Sequence, residues 1–125
     1  MKRLPESELE IMMIIWNAKK EVSRVEIQAE LNKSKKLATT TILSFLSRLV
    51  NRGFLKMEKR NRKNYYLPLV SHKDYVENES KNILERFFDN SVKNFVVQLS
   101  NSKAIDKQQF NELKEFVNSL KIEDE

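Results

Sequence analysis

The side chains with chemistry to offer in this sequence are hydroxyls and cations. Thr39, Thr40 and Thr41 stand in a row, followed by Leu43, Ser44, Arg48 and Arg52. A second cluster, "KRNRK", places Lys59, Arg60, Arg62 and Lys63 within one short run. Hydroxyls donate and accept hydrogen bonds, and guanidinium and ammonium groups neutralise phosphates. This is the chemistry of contact with a polyanion. General acid–base catalysis needs paired carboxylates or a histidine held in a cleft. Here the acidic residues fall at helix starts and on polar helical faces, and His72 is the one histidine. No nucleophile motif and no glycine-rich phosphate loop occurs. An enzyme is therefore not expected, and neither is a metal site or a cofactor.

Charge is divided unevenly along the chain. Residues 1–73 hold 16 Lys+Arg against 7 Asp+Glu, and residues 74–125 hold 7 against 11. A basic half joined to an acidic half suggests two tasks, the first of them meeting the polyanion. The absence of cysteine fits a reducing cytosol. The start of the chain does not have the form of a signal peptide, and no apolar run is long enough to span a membrane. A cytoplasmic protein with no membrane insertion is expected.

The elements that must position these residues are mostly helices, since the chain has Gly 1 and Pro 2. Leu9, Met12, Met13 and Trp16 predict one apolar face for a helix over 6–17. Ser23 with Glu26 forms a capping box, stapled by Val22 and Ile27, for a helix over 24–32 buried through Val25, Ile27 and Leu31. Thr39 is expected to cap a third helix running to Arg52, with Ile42, Phe45, Leu46 and Leu49 as its buried stripe. Gly53, the sole glycine, ends that helix, because a left-handed backbone suits glycine best. Residues 54–68 read as a basic hairpin with "RNRKN" at its tip, and Pro68 confines its return strand to a sheet edge. Three helices and a basic hairpin outline a winged helix-turn-helix. Its third helix would enter the major groove, with Arg48, Arg52, Lys59, Arg60, Arg62 and Lys63 against phosphates.

The second half reads as helical. Ser71 and Asp74 start a helix over 72–89 through Tyr75, Ile83, Leu84, Phe87 and Phe88. Val92, Phe95, Val96 and Leu99 line the next helix. Asp106 with Gln109 is another capping box, ahead of a stripe of Phe110, Leu113, Val117 and Leu120. So few residues cannot hide so much apolar surface in a monomer. A homodimer is expected, with Phe87, Phe88, Phe95, Phe110, Leu113, Val117 and Leu120 at its interface. The fold class expected is mainly α: a winged helix-turn-helix over 1–70 and a helical dimerisation domain over 71–125.

Four segments carry a resemblance: "ELEIMMIIW", "TTTILSFLSRLVNRGFL", "YYLPLVS" and "SVKNFVVQL". Together they resemble the penicillinase and methicillin-resistance repressor family over nearly the whole chain. The resemblance implies a dimeric winged-helix repressor of a β-lactam-resistance operon, bound to a palindromic double-stranded DNA operator. It also implies relief by a membrane-bound sensor protease, through cleavage at an Asn-Phe bond, here Asn94–Phe95. Two positions depart from the family pattern. Thr40 stands where a basic residue is frequent, and Leu43 where Arg or Lys reads a base. Leu43 can instead touch a thymine methyl. The cysteine-rich tail of the family's copper-responsive branch is missing. Two alternatives remain open: a winged-helix repressor of an unrelated operon, and a helical adaptor that binds protein.

Overall fold

The computed structural model describes residues 1–120 of the 125. The order of elements is α1 (Glu6–Ala18), β1 (Val22–Ser23), α2 (Arg24–Leu31), α3 (Thr39–Asn51), β2 (Leu55–Arg60), β3 (Lys63–Pro68), α4 (His72–Phe88), α5 (Val92–Asn101) and α6 (Lys107–Ser119). The chain divides into two compact units, Met1–Glu79 and Ser80–Glu125, and the division falls inside α4. The first unit is a winged helix-turn-helix: three helices and a small antiparallel sheet.

α1 follows Pro5 and carries Glu6 and Glu8 in its first turn, where carboxylates suit the helix dipole. Its buried face differs from the expected one. Ile11, Met12 and Ile15 are buried, Leu9 and Trp16 are half-buried, and Met13 is exposed. The buried face also includes a carboxylate, that of Glu8. The helix is apolar on more than one side, so periodicity alone did not fix its orientation.

α2 begins with the anticipated capping box, Ser23 and Glu26 each bonding the other's backbone amide. Its core contacts are Ile27 and Leu31, whereas Val25 is 58% exposed. α3 starts differently from expectation. Ala38 is its N-cap and supplies no side-chain bond, and Thr39 is already the first helical residue. Ile42, Leu46 and Leu49 are buried in the core, and Phe45 is half-buried beside them.

α3 ends in a full Schellman closure. The Phe54 amide donates to the Leu49 carbonyl at 2.9 Å and the Gly53 amide to the Val50 carbonyl at 3.0 Å. Gly53 sits at φ +80°, the left-handed backbone that this closure requires. Phe54 and Leu49 both lie in the core, as the motif's apolar contact demands.

β2 and β3 pair antiparallel from Leu55↔Pro68 to Arg60↔Lys63. Asn61 (φ 49°) and Arg62 (φ 67°) make the two-residue turn. Positive φ at both turn residues is the type I′ geometry, whose twist matches that of paired strands. β3 is the central strand of the sheet, order β1-β3-β2, and not the edge strand expected from Pro68. β1 pairs only with Tyr65 and Tyr66, so Pro68 lies beyond the ladder that its missing amide would break.

The start of α4 is fastened to this unit. The Tyr75 hydroxyl accepts from the Leu4 amide at 2.8 Å, and Trp16 Nε1 donates to the Val70 carbonyl at 2.9 Å. Within the second unit, Ser91 caps α5 and the Asp106–Gln109 box caps α6. Phe88 and Phe95 meet edge to face, centroids 5.0 Å apart.

Candidate nucleic-acid interface

α3 is driven into the core by Ile42, Leu46 and Leu49, which leaves one face turned outward. Thr39, Thr40, Ser44, Ser47 and Arg48 on it are exposed, Thr41 is half-buried, and Leu43 is 39% exposed. Apart from Leu43, this outward face carries hydroxyls and one cation. Arg48 reaches back over the Phe45 ring, 5.8 Å from its centroid, and forms no ion pair among the described residues.

The cations expected to be free divide into two groups. Arg52, at the end of α3, donates from Nη1 to Glu8 Oε1 at 2.6 Å. The Glu8 side chain is only 1% exposed and that of Arg52 40%. The charge of Arg52 is thus balanced internally. Arg60 is held likewise, by Glu21 and by Glu58 at 2.7 Å, and lies over the Tyr65 ring. These bonds hold the Glu58 carboxyl below its usual range, through Arg60 first and Lys56 second. They raise the pKa of the Arg60 guanidinium through Glu58 and Glu21. Lys59, Arg62 and Lys63 are exposed and form no ion pair among the described residues. The sequence shows six cations here, and the structure pairs two of them, Arg52 and Arg60, with carboxylates of the same chain.

In the second unit, Phe87, Phe110, Leu113, Val117 and Leu120 are exposed, at 37% to 63%. Phe88 and Phe95 are half-buried. α5 and α6 leave an apolar groove of about 620 Å³ between them, walled by Val96, Val97, Phe110, Leu113 and Val117. Asn94 is exposed in the first turn of α5, where its amide donates to Ser91 Oγ at 3.1 Å. No helix among the described residues is long and apolar enough to cross a membrane.

A winged helix-turn-helix with a hydroxyl-rich third helix and a cationic wing tip is the architecture of a DNA-binding transcriptional regulator. The sequence pattern of the penicillinase repressor family matches residues 4–119. The penicillinase repressor of Bacillus licheniformis is 30% identical over 116 residues, 90% of each chain. The methicillin resistance regulatory protein MecI of Staphylococcus aureus is 28% identical over 112 residues, again 90% of each chain. Among solved structures, the monomeric form of Bacillus licheniformis BlaI in complex with the blaP half-operator matches with a TM-score of 0.51 and 31% identity. That match covers 59% of this chain and 89% of the other. The DNA-binding domain of BlaI gives 0.51 and 33%, over 60% of this chain and 94% of the other. The chain belongs to the penicillinase repressor family, and it is a transcriptional repressor.

Proposed function

We propose that this repressor binds a palindromic operator as a cytoplasmic homodimer, residues 1–70 contacting DNA and residues 71–125 joining the two copies. The observation that carries the proposal is the outward face of α3 together with the unpaired cations of the wing tip. In this reading α3 enters the major groove, with Thr39, Thr40, Thr41, Leu43 and Ser44 toward base edges and Arg48 toward a phosphate. Arg62 and Lys63 on the wing neutralise phosphates, while Arg52 and Arg60 hold the frame. The relative solved with a half-operator supports the same use of this domain. The exposed apolar residues of α4 and α6 supply the surface that a second copy covers.

Relatives are named for penicillinase and methicillin resistance, and the operon regulated here is proposed to be of that kind. Relief comes from cleavage between Asn94 and Phe95 by a membrane-bound sensor protease. Phe95 packs on Phe88, so a cut there removes support from the dimerising helices. A dimer split in two keeps one half-site each and loses the gain from linkage, on the order of a hundredfold or more in affinity.

The test is binding to the DNA upstream of its own gene across a salt series. Log affinity falls linearly with log salt, and Arg62→Ala and Lys63→Ala each flatten the slope by about one. Arg60→Ala flattens it less. Binding that ignores salt, or no binding, refutes the proposal.

A further inference from the structure

The first residue of α3 is held from another helix. Thr39 Oγ1 lies 3.1 Å from Gln28 Nε2 and 3.2 Å from Gln28 Oε1. One turn earlier on α2, the Arg24 guanidinium donates to Gln28 Oε1. Arg24 makes no ion pair among the described residues. Arg24 and Gln28 are half-buried, and Thr39 is exposed. The three side chains form a line from the start of α2 to the head of α3.

Donor arithmetic gives this line a direction. A guanidinium only donates, so the Gln28 atom facing Arg24 is the amide oxygen. The amide NH2 then faces Thr39 and donates to its oxygen. That bond fills a lone pair of the hydroxyl and leaves its proton free to turn. Without DNA the proton can turn back to Gln28 Oε1. With an acceptor outside the protein it turns outward. Had the amide been reversed, its oxygen would face the threonine and claim that proton.

We infer that Arg24 and Gln28 are positioning residues which present the Thr39 hydroxyl to the operator as a hydrogen-bond donor. The inference rests on the DNA-binding reading above. It makes Thr39 a donor toward a phosphate oxygen or a base acceptor, and it makes affinity depend on two α2 residues acting through it.

The test is a double-mutant cycle in the full chain, read as affinity for the duplex upstream of its own gene. Gln28→Met keeps the length of the side chain and removes both polar groups, and Thr39→Val keeps shape and removes the hydroxyl. Each weakens binding on the order of tenfold, the loss of one hydrogen bond to a charged acceptor. The double variant is no weaker than either single one, because both remove the same interaction. Thr39→Ser retains wild-type affinity. The salt slope stays unchanged in Gln28→Met and in Arg24→Met, since neither change removes a cation that neutralises a phosphate. Additive losses, or a lowered melting point with unaltered affinity in Gln28→Met, overturn the inference and leave the DNA-binding reading standing. A slope lower by about one in Arg24→Met shows a direct phosphate grip and overturns the positioning role of Arg24. If the wild-type protein does not bind the duplex at all, the underlying reading fails and this inference falls with it.

Discussion

Removing Arg52 destabilises the first unit more than removing the charge of Glu8, although the two share one bond. The carboxylate is the buried partner, with 1% of its side chain exposed against 40% for the guanidinium. Arg52→Met leaves a charge stranded away from water, and breaking a buried pair in that way costs about 3–5 kcal/mol. The half-open side of the pair admits some water, which places this case at the lower end, about 3 kcal/mol. Glu8→Gln keeps an acceptor of the same size and lets Arg52 turn to solvent. It forfeits only the charge assistance, about 1 kcal/mol. For a unit of this size each kcal/mol moves the melting point by roughly 4–8 °C, so Arg52→Met melts some 12 °C or more lower. Trp16 is the sole tryptophan and belongs to this unit. Its fluorescence during urea unfolding reads the first unit alone. Glu8→Leu combined with Arg52→Met recovers most of the loss, because neither charge is then left buried. Equal losses from the two single variants, or losses under about 0.5 kcal/mol in both, refute the reasoning and return the pair to the class of surface ion pairs.

Gly53→Ala costs about 1–2 kcal/mol in the same urea assay, the left-handed backbone penalty alone, because a Cβ there meets nothing within 4 Å. Burial raises the Tyr66 phenol above its ordinary value of 10.0, against weaker opposing effects from Arg24 and Asn64. Its contribution is complete below that value and is lost as pH climbs through the raised one, so Tyr66→Phe flattens the alkaline fall in stability. Val117 is 54% exposed in the single chain, so Val117→Asp leaves the helical content unchanged by circular dichroism and abolishes the proposed dimer in sedimentation. A dimer that survives the change places the interface elsewhere. Replacing Asn94 and Phe95 together leaves operator binding intact and makes repression unresponsive to inducer, read by blotting for full-length protein during induction. Normal induction in that variant refutes control by cleavage.

Local rules made much of this fold legible. The capping boxes at Ser23–Glu26 and Asp106–Gln109, and the stop at Gly53, are set by residues within a few positions of one another. What local rules did not reach has a common source in tertiary contacts. Val22–Ser23 reads as the lead into a helix, and only the approach of Tyr65–Tyr66 makes it a strand. That same pairing moved β3 from the edge to the centre. Thr39 has the side chain of a cap, yet Gln28, eleven positions away, engages it inside the helix. Of the cations expected to meet phosphates, Arg52 and Arg60 are held by Glu8 and Glu21, 44 and 39 positions distant. Charge counting can show that a half of the chain is basic. It cannot show which charges are already answered.

The wing tip carries a consequence for how this protein evolves. Asparagine followed by glycine is the most favoured pair for a type I′ turn, and the chain has Asn61 followed by Arg62, with Arg62 at φ 67°. An arginine in that backbone is about 1–2 kcal/mol worse off than a glycine. A sturdier wing therefore lies one substitution away, and it would lack one of the cations that the wing presents. If Arg62 neutralises a phosphate as proposed, selection for robustness and selection for grip pull this residue in opposite directions. On that reading, stabilising designs guided by turn statistics would arrive at glycine there and loosen the hold on DNA that the wing is proposed to supply.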